Sequence, residues 1–306
     1  MGCMMEKEVY FGYILKADLR GALNYLSQDP AQSDLYAKYM AIFEREEYLS
    51  YGLGKDLDDI LAVYQKYWRE VFYLEMKAEI AEERLKNRLS ILLGYHDSGT
   101  ELGVLEQIVL PQLFSRSGFT FMGGKTSGYY GPYVWRTTET VQYQVELPDG
   151  TQTYTVKLLD GFVNRSWIDF LSFGAIGPGG WADGEGYINC VKSAWDLDSE
   201  AFRISLLKHE AQHAKDLETY SGLSSADLEY RAKLVELIYS TERNLLLSFA
   251  QEADDSAPDN GHSLAAYRIV RDFSEMLRCD HFTGLEIGSI QKTALELYRR
   301  DCELRQ

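Results

Sequence analysis

The stretch LLKHEAQHAKDLETYSGLSSADLEYRAKLVEL, Leu206 to Leu237, decides how the chain reads. Its first half contains His209-Glu210-Ala211-Gln212-His213, which sets two of the chain's five histidines four positions apart. On a helix that spacing is about one turn, so both imidazoles project from one face and can reach a single ion. Glu210, next to His209 and three positions before His213, points beside that ion rather than at it. A carboxylate there can take a proton from metal-activated water. The flanks favour a helix: Asp198 or Ser199 can cap it, Glu200 lies in the first turn, and neither Pro nor Gly intervenes before Tyr220. With His and Glu at ordinary frequencies, an accidental H-E-x-x-H in a chain this long has a chance of roughly 1%.

The second half of the stretch offers a third ligand. Ser224 with Asp227 fits a capping box, which starts another helix after a short turn containing Gly222. Glu229 falls in the first turns of that helix. Two antiparallel helices joined by so short a loop pack side by side, so Glu229 can face the histidine pair. Glu236, two turns further along the same face, is the alternative ligand. Zinc wants such a set: three protein ligands and one position left for water. Asp216, one turn beyond His213, is a candidate partner for the outer nitrogen of a ligating histidine. His262, in DNGHSLAAYRIV, or Tyr230 could donate to a developing oxyanion.

HEAQH followed by a Glu-bearing helix resembles the gluzincin branch of zinc metallopeptidases, the thermolysin-like arrangement, over roughly residues 180 to 240. The resemblance implies a zincin-like α+β catalytic domain, a Zn2+ ion on His209, His213 and Glu229, Glu210 as general base, and a peptide or protein substrate. It also implies a strand before the active helix that holds extended substrate by β-pairing, and the run Gly186 to Val191 occupies that place in the order. Two positions depart from the pattern: Lys233 stands four after Glu229, where an acid is common, and Lys215 stands where an apolar residue is usual. The extended metzincin pattern is excluded, because Gly and a third His do not follow His213 at the needed spacing.

Upstream of this region, Val141 to Leu147 and Tyr154 to Leu158 alternate apolar and polar residues around Pro148-Asp149-Gly150, which reads as a β-hairpin. A glycine-rich loop, Gly177 to Gly180, leads to another strand from Tyr187 to Val191. From Asp18 to about Leu93 the period is helical. Ser33 and Asp34 can cap one helix there, and a long stripe follows: Leu57, Ile60, Leu61, Tyr64, Trp68, then Ala81, Leu85 and Leu89. Turn residues from Gly94 to Gly103 suggest a boundary. The expectation is therefore a mostly helical region over 1–95 and a catalytic domain with a small antiparallel sheet over 96–306. GFTFMGGKTSG fails as a phosphate loop: five residues separate Gly118 from Gly124, and SGYYGP after Thr126 cannot open a helix.

Composition narrows the partners. The 306 residues carry a formal charge of −16, and a surface that acidic disfavours nucleic acid and anionic membranes. No apolar run approaches the roughly 18 residues that span a bilayer. The N-terminus lacks a signal-peptide pattern, and four scattered cysteines form no C-x-x-C pair, so a cytoplasmic protein with free thiols is expected. Two other readings stay open. One is a non-catalytic zinc-binding or helical interaction module, and the other is a zinc amidase acting on a non-peptide substrate.

Overall fold

The expected hairpin forms as strands Thr137–Leu147 and Gly150–Asp160 in the computed structural model of the chain. The structure describes residues 2–95, 100–183, 185–256, 260–279 and 281–305, with side chains from residue 9 onward. The chain is a mixture of helix and sheet and divides into two compact units. One comprises residues 1–137 and 161–178, the other 138–160 and 179–306. This corrects the boundary expected at 95. The reason is the core: Leu102, Leu105, Leu110, Phe114, Phe121, Trp167 and Phe170 are buried in the same cluster as Leu57, Tyr64, Trp68 and Leu85. Apolar surface is removed from water wherever it meets more of its kind, whatever lies between in sequence. Of the turn segment that suggested the boundary, residues 96–99 lie outside the described residues.

In the first unit the long apolar stripe is two helices, Lys55–Trp68 and Ala78–Leu92, joined through a wider turn at Arg69–Tyr73. The helix at Ser33–Phe43 follows a short 3₁₀ turn capped by Asp29, so Ser33 and Asp34 are not its caps. The phosphate-loop look-alike is strand and hairpin. Thr120–Met122 pairs with Tyr133–Trp135, and Lys125–Thr126 pairs with Tyr129–Tyr130. Its aromatic residues pack: Tyr129 meets Phe72 and Trp167 edge to face, and the Trp167 Nε1–H donates to Thr126 O at 2.7 Å.

The second unit is built on a four-stranded sheet in the order Thr137–Leu147, Gly150–Asp160, Tyr187–Val191, Gly180–Ala182. It is mixed rather than antiparallel. Gly150–Asp160 runs parallel to Tyr187–Val191, with Val156 opposite Ile188 and Leu158 opposite Cys190. Parallel neighbours need a crossover of a dozen or more residues, and the excursion of 161–178 into the other unit supplies it. Gly180–Ala182 then pairs antiparallel with Tyr187–Val191 at the sheet edge.

Val145, Tyr154, Val156 and Ile188 share a core with Phe202, Leu206, Leu234 and Val235 of the helices that follow. Each such aliphatic side chain contributes about 1.5–3 kcal/mol by leaving water. The helices are His209–Thr219, Ser225–Tyr239, Asn244–Glu252, Gly261–Leu277 and Ile287–Leu304. Among the described residues no helix is long and apolar enough to cross a membrane. Cys190, Cys279 and Cys302 are free thiols, and the Cys3 side chain lies outside the described residues.

Glu106 in the first unit is 2% exposed, and the Tyr64 hydroxyl donates to it at 2.7 Å. Burial pushes its carboxyl up from 4.5 to about 7, against the opposing effects of Tyr64, the Gly124 amide and Lys125. The folded state thus holds a proton that the unfolded state releases above about pH 4.5. The stabilisation is complete below that pH and is lost as pH rises through about 7, on the order of 3 kcal/mol across the window. Thermal melts from pH 4.5 to 8 should show this decline in the parent chain and a flatter profile in Glu106→Gln. Identical pH slopes would contradict it.

Candidate metal centre

The helix bearing the histidine pair begins at its expected cap. Ser199 Oγ accepts the Phe202 N–H at 3.0 Å, while Glu200 accepts the Thr241 N–H at 2.7 Å. Phe202–Lys208 is then wound wider, as a π-helix, before His209–Thr219 continues as ordinary α-helix. Such insertions rotate the following side chains relative to the preceding turn and recur at functional sites. Here His209, Glu210 and Gln212 are turned into the protein. The two imidazoles stand edge to face, with centroids 4.6 Å apart and Nε2 atoms 2.9 Å apart.

The expected capping box is present: Ser224 Oγ accepts the Asp227 N–H, and the Asp227 side chain accepts the Ser224 N–H. One turn into that helix Glu229 meets the pair. Its Oε2 lies 3.5 Å from His209 Nε2, and its Oε1 lies 3.4 Å from His213 Nε2. A zinc ion with bonds of about 2.0–2.1 Å at tetrahedral angles separates its ligand atoms by about 3.3 Å. The two nitrogens stand 2.9 Å apart and each has one Glu229 oxygen at 3.4 or 3.5 Å, and taking one donor atom from each residue the three lie within 4.8 Å of one another. Among the described residues, these three side chains form the group whose donor atoms all lie close enough to share one ion.

Two further observations fit a cation. His209 Nδ1 lies 2.8 Å from Glu236 Oε1, which engages a hydrogen on Nδ1 and leaves Nε2 as the nitrogen that faces Glu229 and His213. Glu229 Oε2 is buried and receives no aligned hydrogen bond among the described residues, although His262 Nδ1 lies 2.9 Å away. A buried carboxylate oxygen left in that state is costly unless a charge faces it. Burial pushes the Glu229 carboxyl up, yet the contacts from His209, His213 and His262 outweigh it and hold the group well below the usual range. Burial likewise lowers His209, but Glu229 and Glu236 prevail and hold it well above the ordinary imidazole value.

The remaining candidates fall elsewhere. Glu236 is not the third ligand but the partner that orients His209. Asp216 does not reach for His213: its oxygens accept from Gln212 Nε2 at 2.7 Å and Arg231 Nε at 2.8 Å. The Tyr230 hydroxyl donates to Asp272 at 2.7 Å, which turns it away from the histidine pair. His262 sits in the first turn of Gly261–Leu277 with its side chain 59% exposed, at the rim against Glu229. A Cβ on Gly261 would collide with Ser225 Oγ, and this close approach seats that helix beside the one carrying Glu229. Lys233 turns to Glu252 at 2.7 Å, and Lys215 to Asp149 at 2.9 Å.

Glu210 Oε2 accepts the Ala182 N–H at 2.8 Å. This overturns the place expected for Gly186 to Val191. Tyr187–Val191 is paired on both sides and cannot take another strand, whereas Gly180–Ala182 is the edge. Backbone bonds at Gly179–Val191 and Asp183–Tyr187 put Trp181 on the paired side and turn Gly180 and Ala182 outward. A Cβ on Gly180 would collide with Leu206 and with the backbone of Asn189, so this edge depends on glycine. Nothing but that glycine-rich texture marks the three-residue strand in the sequence.

Comparison with family models, with curated proteins and with solved structures finds no match. The metal assignment therefore stands on geometry. Competition with a chelator should give one Zn2+ per chain, lost in His213→Ala and weakened about 10- to 100-fold in Glu236→Ala. Equal affinity in all three proteins would remove the centre described here.

Proposed function

We propose that the chain is a zinc-dependent hydrolase of the gluzincin kind, with a polypeptide as substrate. One observation carries the reading: beside a two-histidine, one-glutamate ligand set stands a carboxylate, Glu210, tied by hydrogen bond to an open sheet edge. A purely structural zinc site closes its fourth position with protein and has no use for an adjacent base. Three ligands leave a position for water, which favours catalysis over storage.

Zinc held by His209, His213 and Glu229 would supply Lewis acidity towards a carbonyl and lower the pKa of water to about 7. The chain's own residues do the rest. The Ala182 N–H engages Glu210 Oε2 and fixes the carboxylate, so Oε1 is the atom that takes the proton from the attacking water and returns it to the leaving amine. The outward backbone groups of Gly180 and the carbonyl of Ala182 suit an extended chain laid along the edge by β-pairing. A peptide offers that repeating pattern of donors and acceptors, and a small amide does not. A cavity of about 380 Å³ lies beyond the Asp183 end of this strand, lined by Tyr154, Asp183, Gly186, Ala214 and Leu217 among others. Glu236 keeps His209 in the tautomer that ligates.

Glu210→Gln should retain zinc at the parent stoichiometry and lose roughly 100- to 10,000-fold in cleavage of a broad peptide library. Parent-level cleavage by that variant would defeat the mechanism. Zinc binding with no cleavage by the parent would instead favour a binding module.

A further inference from the structure

A buried ion pair ties the two ligand-bearing helices to each other close to the centre. Arg231 lies two positions after Glu229 and is 1% exposed. Its Nε donates to Asp216 Oδ2 at 2.8 Å, its Nη1 to Asp301 Oδ2 at 2.7 Å and its Nη2 to the Tyr298 hydroxyl at 3.2 Å. Asp216 lies three positions after His213, is fully buried, and holds Gln212 of its own helix with the other oxygen. One guanidinium therefore joins the His209–Thr219 helix, the Ser225–Tyr239 helix and the Ile287–Leu304 helix.

A pair like this does little for net stability, since the cost of desolvating two charges consumes most of their attraction. Its character is directional. The guanidinium is a planar fork with fixed donor angles, so sliding one helix along the other misaligns its bonds. Apolar packing is non-directional and tolerates such a slide. Metal ligation does not, because ligand distances must hold within about 0.2 Å.

We propose that Arg231 is a positioning residue for the metal centre. Through Asp216 it sets the register that brings Glu229, on one helix, to His209 and His213 on the other. This rests on the zinc reading above. The same helix carries a built-in control: Lys233 pairs with Glu252 on a helix that bears none of the ligands.

The test measures Zn2+ affinity by chelator competition, with thermal melts alongside. The proteins are the full-length parent, Arg231→Lys, the apolar double variant Asp216→Leu/Arg231→Met, and the control Lys233→Met/Glu252→Leu. The expected result is a loss of at least tenfold in zinc affinity for Arg231→Lys and for the Asp216/Arg231 double variant, with the apolar pair melting near the parent. The control should stay within about threefold of parent affinity. Parent affinity in either Arg231 variant overturns the proposal, as does an equal loss in the control. Should the double variant fail to fold, Arg231→Lys decides. Failure of both to fold even with saturating zinc also overturns it, because the pair would then hold the fold rather than the centre. A parent chain that takes up no zinc fails at the earlier step and removes the centre itself.

Discussion

One helix, Ser225–Tyr239, buries four charged side chains within about two turns, and each must meet a counter-charge or unsettle the core. Glu229, Arg231, Lys233 and Glu236 are all less than a tenth exposed. Arg231 is answered by Asp216 and Asp301, Lys233 by Glu252, and Glu236 by His209. Glu229 is the exception. Three histidines surround it, but among the described residues one of its oxygens lacks an aligned donor. A divalent cation completes that helix's electrostatics in the same way the other partners do. The candidate metal site is thus continuous with a buried charge network and not an ornament on its surface.

The histidine pair and Glu210 were legible because their geometry is local: four residues on a helix fix a common face before any tertiary contact forms. Glu229 was legible at one remove, since the capping box and the short turn bring the second helix back alongside the first. What escaped prediction depends on long-range partners. Asp216 looked like a carboxylate one turn from a ligand, and only the fold shows that Arg231 claims it. Glu236 was recognised as facing the site and offered as the alternative to Glu229; that it meets the outer nitrogen of His209 turns on less than the length of one side chain, which sequence cannot resolve. The hairpin was readable from its alternation and its Pro-Asp-Gly turn. The sheet's mixed character was not, since the strand parallel to Gly150–Asp160 arrives only after the chain has visited the other unit.

The placement of Glu210 follows the same logic. An edge strand of three residues has no hydrophobic period to betray it, and its glycines read as loop. Yet Gly180 is required there by the closeness of Leu206 and Asn189, and Ala182 supplies the amide that holds Glu210. The π-wound turn at Phe202–Lys208 serves the same end, delivering the motif to the sheet edge with His209 and Glu210 inward. Within this unit both irregular segments, Gly180–Ala182 and Phe202–Lys208, precede the histidine pair, while the helices from Ser225 onward are regular α-helix.

The measurement that addresses the central claim most directly is X-ray absorption at the zinc K-edge on the loaded full-length protein. The account predicts two imidazole nitrogens and light oxygen donors at about 2.0–2.1 Å, with no sulfur in the first coordination sphere, and loss of this protein-bound zinc signal in His213→Ala. Thiolate scattering near 2.3 Å, or a spectrum unchanged by that substitution, would place the ion elsewhere and contradict it.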